Sequence, residues 1–361
     1  MDAYRAAPAA HGERAVRFTG NWREYLPIAA TNALLIVCTL GVYRFWASAR
    51  QRRYLWSRTE FIDDSLEWTG TGKEMFLGFL IVIAVLAPFF LFIQLLFPAL
   101  VARGKIDAAG GIMFLFYIAL IYLGGFARFR ALRYRLSRTW WHGIRGGSDD
   151  QGWSYGWSTV WKTIVGGIAL GLLVPWSMCE LWNERWNKMS FGPHPFASGA
   201  RSRPLMGRFL LFYLLPVAGC VAAMGAGAVA VASQHNPQAM AVTLLFAMLG
   251  AFAAYFTFGV IALAFYAKYF REAVGNLTLT HIDFAFTART VDWFMLFLGD
   301  LVLLIVTLGV AYAWLGYRHW KFFITHLEAS GEVDLALLTQ SETPEPKQGE
   351  GLLDAFDVGA F

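Results

Sequence analysis

The sequence predicts an all-α membrane protein: four transmembrane helices plus three re-entrant or broken helical segments in internal repeats, with short cytoplasmic β-hairpins. Three observations lead there. Of 361 residues, 57% are hydrophobic and only 15% charged, whereas a soluble domain carries roughly 45–50% apolar and about 25% charged residues. Four apolar runs reach the length of about 20 residues that crosses a bilayer core. Three further apolar runs repeat one pattern built on a glycine and a tryptophan, and such self-similarity marks a repeat architecture.

Taken along the chain, residues 1–16 are polar and read as a disordered tail. The first apolar run has no small-residue cleavage pattern after it, so it is expected to stay as a membrane segment. That run reads TNALLIVCTLGVYRFW from Thr31. The four clear spans follow as Met75–Leu100, Ala108–Phe126, Phe209–Ala232 and Met240–Tyr266. The third carries Ala218, Ala222 and Ala226 beside Gly219, Ala223 and Gly227, small-residue ridges that let helices approach closely. Cys38, Cys179 and Cys220 lie in or beside apolar runs without CxxC spacing, so neither a disulfide framework nor a metal site is expected.

The last apolar run reads GDLVLLIVTLGVAYAW from Gly299. Gly41, Gly171 and Gly309 each stand five residues before a tryptophan: Trp46, Trp176 and Trp314. Nine residues before each glycine stands a polar residue: Asn32, Lys162 and Asp300. The copies start near residues 18, 153 and 286, inside one membrane domain spanning 17–340, and 341–361 forms a C-terminal tail. The stretches Arg58–Gly72, Arg138–Trp157, Lys188–Arg203, Gly275–Arg289 and Phe323–Leu335 mix β-formers with turn residues and read as short β-hairpins. Residues 340–350 read as disordered.

Charge sets the topology. The short links Val101–Asp107 and Ser233–Ala239 contain only Arg103 and Lys105, of 30 Lys and Arg in the chain. If every apolar run crossed, strongly basic loops would alternate between the two sides. If the three Gly–Trp runs dip in and return, nearly all the positive charge shares one side with both termini, as the positive-inside rule demands. The same distribution accounts for the net charge of +5 without nucleic acid. The expected partner is a bilayer containing anionic lipids, with Arg50, Arg52, Arg53, Arg128, Arg130 and Arg133 at its headgroups.

FTGNWREY (Phe18–Tyr25), TLGVYRFWASARQRRYLW (Thr39–Trp56), RFRALRYRLSRT (Arg128–Thr139) and GEGLLDAFDVGAF (Gly349–Phe361) together resemble the YjgN-like family of bacterial inner-membrane proteins. The likeness runs from about Phe18 to the C-terminus. It implies an inner-membrane location and the overall architecture, and it supplies no catalytic residues. A Thr-Leu-Gly turn followed by Pro-Trp is its most specific element, and here the proline stands only in the middle copy, as Pro175.

Nucleotide-binding, zincin and hydrolase motifs are absent from the sequence, and the seven histidines have no metal-ligand spacing. No cofactor or metal is expected. A charged residue at a helix centre costs roughly 2.5–3.5 kcal/mol and normally finds a partner or water. Lys162 and Asp300 are therefore expected to pair, with Asn32 nearby. The leading functional expectation is a transport-type protein with a polar midplane site between repeats. The alternative is a membrane scaffold, or a lipid- or partner-binding module, with a cytoplasmic hairpin layer. An enzyme stands third.

Overall fold

The computed structural model describes residues 15–232, 237–331 and 339–345. Its organising feature is a set of helical pairs that leave from one strand and return to the strand hydrogen-bonded beside it. Strand β1 (Val16–Phe18) leads into α1 (Trp22–Cys38) and α2 (Arg44–Ser57), which return to β2 (Thr59–Phe61). β3 (Asp64–Ser65) and β4 (Glu67–Trp68) precede α3 (Gly72–Ala102) and α4 (Ile106–Arg138), which return to β5 (Thr139–Trp141). β6 (Ile144–Gly147) leads into α5 (Trp153–Gly167) and α6 (Val174–Trp186), which return to β7 (Ser190–Phe191). β8 (His194–Ser198) precedes α7 (Met206–Phe209), α8 (Leu211–Ala232) and α9 (Pro237–Gly275), ending at β9 (Leu277–Leu279). β10 (Ile282–Phe286) precedes α10 (Thr290–Val306) and α11 (Tyr312–His326), and β11 (Leu327–Gly331) follows.

The strand pairs at these exits close each excursion: Phe18 opposite Thr59, Trp68 opposite Thr139, Gly147 opposite Ser190, Ser198 opposite Leu277, and Phe286 opposite Leu327. Strands β4 to β11 form one eight-stranded antiparallel sheet in sequence order, and β1–β2–β3 form a second of three strands. The sheets approach each other, with β1 against β11 and the Trp141 indole donating to Phe61 O at 3.0 Å. Ile62, His142, Gly192 and Thr280, at φ between 50° and 60°, open the two-residue loops of the strand hairpins.

This corrects the all-α expectation. The short hairpins are not separate decorations but join into two sheets, one of eight strands and one of three. Each strand spans only two to five residues, too few for periodicity to declare itself, and its partner across a helical pair lies far away in sequence. The last strand region contributes only β11 among the described residues. β1 begins at Val16, one residue inside the expected tail. Residues 340–345, expected to be disordered, lie against β6 with Ser341 and Thr343 buried; 346–361 fall outside the described residues.

Among the described residues, three helices are long and apolar enough to cross a membrane: α3, α4 and Gln238–Gly275 of α9. The fourth expected span is occupied by α7 and α8, and α8 packs along α9. The side chains of Ala218, Ala222, Ala223 and Ala226, and of Cys220, lie outside the described residues. Cys38 and Cys179 are free thiols. α4 runs past the expected end at Phe126 to Arg138, carrying its arginines down to the sheet.

The three Gly–Trp segments are helix–turn–helix hairpins. α1 and α10, 17 residues each, are about 26 Å long at 1.5 Å per residue. The turns place consecutive residues in the left-handed region: Leu40 and Gly41 (φ 50° and 91°), Leu170 and Gly171 (59° and 85°), Leu308 and Gly309 (49° and 90°). Gly41 N–H reaches back to Ile36 O and Gly309 N–H to Leu304 O, both at 2.7 Å, the long bond of a Schellman ending. In the outer copies a threonine completes the turn: Thr39 Oγ1 donates to Leu35 O (2.7 Å) and accepts from Tyr43 N–H (2.9 Å). Thr307 repeats this with Leu303 O and Ala311 N–H. The middle copy has Ala169 instead, and its Leu170 carbonyl accepts from the Tyr213 hydroxyl of α8 at 2.7 Å.

The tips are apolar and bare: Leu40, Leu170 and Leu308 are 96%, 89% and 93% exposed. Such surface suits lipid rather than water. The buried core sits at the hairpin bases. One cluster joins Tyr25, Phe45, Trp56, Trp68, Met75, Tyr134 and Tyr317; others gather around Trp182, Leu205, Phe265 and Phe286, and around Phe129, Tyr155 and Phe196.

A Cβ at Gly309 would meet nothing within 4 Å, so any cost of substitution there is backbone strain alone. Gly309→Val should lower the thermal transition of the purified protein by an amount corresponding to about 1–3 kcal/mol. Gly110→Val, in open space inside α4, should leave the transition nearly unchanged. Equal transitions for both variants would contradict the turn assignment.

Candidate functional site

The polar residue of each hairpin is buried and turned onto the hairpin's own second arm. Asn32 Nδ2 donates to Ala47 O at 3.3 Å, linking α1 to α2, while its Oδ1 is buried without a partner. Lys162 Nζ, on α5, lies 2.7 Å from Glu184 Oε2 and donates to Glu180 O at 3.4 Å, both on α6. Asp300, on α10, lies 2.6 Å from His319 Nε2 and 2.8 Å from Arg318 Nε, both on α11. All three are 5–6% exposed.

The expected pairing of Lys162 with Asp300 is therefore not formed. Each charge meets an opposite charge within its own hairpin, a contact that needs no assembly between repeats. Glu184, Arg318 and His319 stand on the returning helices, a full arm away in sequence, and nothing in the sequence distinguishes them from other base-proximal charges.

The tryptophans serve differently. Trp46 lies against Phe76 of α3 (5.6 Å), with its Cα where a Cβ on Gly72 would intrude. Trp176 meets Trp161 across its hairpin at 6.0 Å, and Trp314 meets Trp22 of the first hairpin at 5.5 Å. The last contact joins hairpins one and three, as does the stacking of Tyr25 on Tyr317 (5.2 Å).

Between α2, α4, α9, α10 and α11 lies a cleft of about 320 Å³. Gln51, Arg52, Arg135 and His319 supply its polar groups; Trp56, Trp293, Trp320 and Phe297 belong to its apolar wall. Trp56 stacks on Trp320 at 4.1 Å, and each indole N–H is spent on a threonine hydroxyl, Thr139 and Thr59, at 2.9 Å. The Trp293 indole nitrogen is buried without a partner among the described residues. His319 of the cleft wall holds the Asp300 carboxylate, and no Asp or Glu stands among the described lining residues. Of these residues only Arg52 stood out in the sequence. The available signal was periodicity: Gly316, His319, Trp320 and Phe323 share one helical face, as do Arg52, Leu55 and Trp56.

The remaining arginines divide. Arg50 and Arg53 are exposed and line a second pocket of about 340 Å³ with Lys73, Tyr43 and Trp46. Arg52 lies over the Trp68 ring at 5.0 Å, and Arg130 over Phe126 at 5.4 Å. Arg133 is buried, donating to Gln151 Oε1 at 2.7 Å and Pro344 O at 3.2 Å, so it faces protein rather than a headgroup surface. Arg128 is exposed. At the base of hairpin two, burial works to raise the Asp150 carboxyl, but Lys188 at 2.8 Å and the Gly152 N–H outweigh it and hold the group below its ordinary value.

Because Lys162 and Asp300 sit in separate hairpins, their substitutions should act independently. Glu184→Ala, leaving Lys162 buried and short of its nearest partner, should destabilise by about 3–5 kcal/mol. Adding Lys162→Met should recover part of that loss. Asp300→Ala combined with Lys162→Met should instead add within about 0.5 kcal/mol. Thermal unfolding of the three single and two double variants in nanodiscs checks both statements, and strong coupling between Lys162 and Asp300 would overturn the intra-hairpin assignment.

Comparison with known proteins places these features in a family. A family model described as "Bacterial protein of unknown function (DUF898)" matches residues 13–355. Inner membrane protein YjgN of Salmonella typhimurium is 25% identical over 374 residues, covering 91% of each chain. No solved structure matches. With a match spanning the short hairpins, the long helices and the sheet alike, the chain belongs to the bacterial family of unknown function DUF898.

Proposed function

We propose that this chain is a multi-pass inner-membrane binding module that holds an anionic amphiphile, such as an acidic phospholipid headgroup, in the cleft beneath its cytoplasmic sheet. In this reading α3, α4, α8 and α9 cross the bilayer. The three short hairpins dip in from the cytoplasmic side and return, and both termini are cytoplasmic. Support for the topology comes from the strand pairs: hydrogen bonds join the two ends of each helical excursion, so each must re-emerge on the side it entered. The Arg-rich end of α4 lies on that same side, and positive charge faces the cytoplasm.

The observation that carries the ligand class is the cleft lining among the described residues: two arginines and a histidine set in aromatic walls, with the Asp300 carboxylate held on that histidine. A phosphate diester suits the guanidinium groups, and the apolar rings suit the adjoining glycerol and first methylenes. The transport reading rests on the repeated broken helices and on a polar site shared between them. Asn32, Lys162 and Asp300 each take these partners from within one hairpin, so the binding reading has the better support.

Two measurements test this. In a cysteine-free background, cysteines at Ser57, Ser202 and Ser330 should label from the cytoplasm and one at Lys105 from the periplasm; labelling of Ser57 or Ser202 from the periplasm would sink the topology. In native mass spectrometry, the wild type should retain phosphatidylglycerol in preference to phosphatidylcholine. Each charge contributes about 1 kcal/mol, so Arg52→Gln with Arg135→Gln should weaken that retention roughly 30-fold. Unchanged retention would remove the cleft as the site.

A further inference from the structure

Residues 339–345 (TQSETPE) cross β6 as a strap held chiefly by side chains. Gln340 Nε2 donates to Gly143 O (2.9 Å), and its Oε1 accepts from Arg145 N–H (3.2 Å). The Arg145 guanidinium donates to Thr343 O and to Ser341 O, the latter at 3.4 Å. Arg133 donates to Pro344 O at 3.2 Å. The Glu345 carboxylate lies 3.4 Å from Arg145 Nε and 3.6 Å from Arg138 Nη1. Ser341 and Thr343 are 6% and 8% exposed, with their hydroxyls 2.7 Å apart.

The groove beneath is shaped for a backbone to lie in. A Cβ on Gly147 would collide with Thr343 Oγ1, and one on Gly192 would stand 2.8 Å from Thr339 O. Arg133 and Arg145 are 3% and 7% exposed beneath the strap. A guanidinium so deeply buried needs acceptors, and the strap supplies carbonyls to both and a carboxylate to Arg145. The specificity is legible in the contacts: an extended segment, small hydroxyl side chains over the glycines, and an acid at the end against two arginines.

We propose that this arginine-lined groove is a docking site for extended, acidic, Ser/Thr-bearing protein segments, and that 339–345 occupies it as an intramolecular ligand. A partner protein presenting such a segment binds by displacing the strap. Tethering gives the strap an effective concentration on the order of millimolar, so a free peptide competes poorly while the strap is intact.

The test uses the full chain. Thr343→Arg with Glu345→Arg vacates the groove without altering it. A fluorescent TQSETPE peptide should bind this variant at least roughly tenfold more tightly than the wild type, and a TQSKTPK peptide should not, because the charge-assisted contacts to Arg138 and Arg145 are lost. Adding either Arg145→Ala or Gly147→Val should abolish the gain; the two act through charge and through space, so one suffices if the other fails to fold. In the wild type, saturating TQSETPE should accelerate hydrogen exchange of 339–345. Equal peptide binding to wild type and vacated chain, no binding to the vacated chain, or exchange unaffected by saturating peptide would each overturn the proposal.

Discussion

The hydrogen-bonded strand pairs at the base of each helical excursion constrain everything else in this molecule. A strand of two to five residues contributes little by itself, and an isolated two-stranded ribbon is marginal in water. Joined edge to edge, they bind the start of each helical pair to its own end, and that end to the start of the next pair. The sheet thereby fixes which helices are neighbours. A hydrogen-bonded sheet cannot be shared between two faces of a bilayer, and unpaired backbone cannot be left in hydrocarbon.

Given pinned bases, the hairpins differ by what closes their far ends. The long pair α3–α4 turns at Arg103 and Gly104, a polar turn. The short hairpins turn at Leu–Gly pairs whose side chains are apolar and bare. Backbone bending in an apolar medium must satisfy its own carbonyls, and the Schellman bond with the threonine hydroxyl does so in two copies. In the third, alanine replaces threonine and a tyrosine from the next helical pair takes over. The polar residue partway down each arm follows the same logic, since a charge there is stabilised by the nearest facing helix.

A further concentration of polar and aromatic side chains lies lower, where helices meet sheet. Trp56, Trp68 and Tyr134 pack the bases of hairpins one and three against α3 and α4, and the cleft opens among the same helices. The last turns of α4 distribute arginines to three destinations: Arg135 to the cleft, Arg138 to Glu74 at 3.1 Å, and Arg133 to the strap. One helical stretch therefore touches the cleft, the neighbouring helix α3 and the C-terminal segment.

The sequence by itself determined the membrane character, the family, the position of the helices and the three turns. Those depend on local quantities: run length, glycine placement and the side on which basic residues collect. It also located the polar residues Asn32, Lys162 and Asp300 without identifying their partners. Glu184, Arg318 and the Ala47 carbonyl are brought opposite only by the folding back of each hairpin. Only the tertiary structure joined the strands into a sheet, placed His319 and Arg135 on one cleft, and seated Ser341 and Thr343 against Arg145. Each of those contacts spans a chain separation over which composition and periodicity carry no information, because hydrogen bonding between short strands depends on where the helices deliver them.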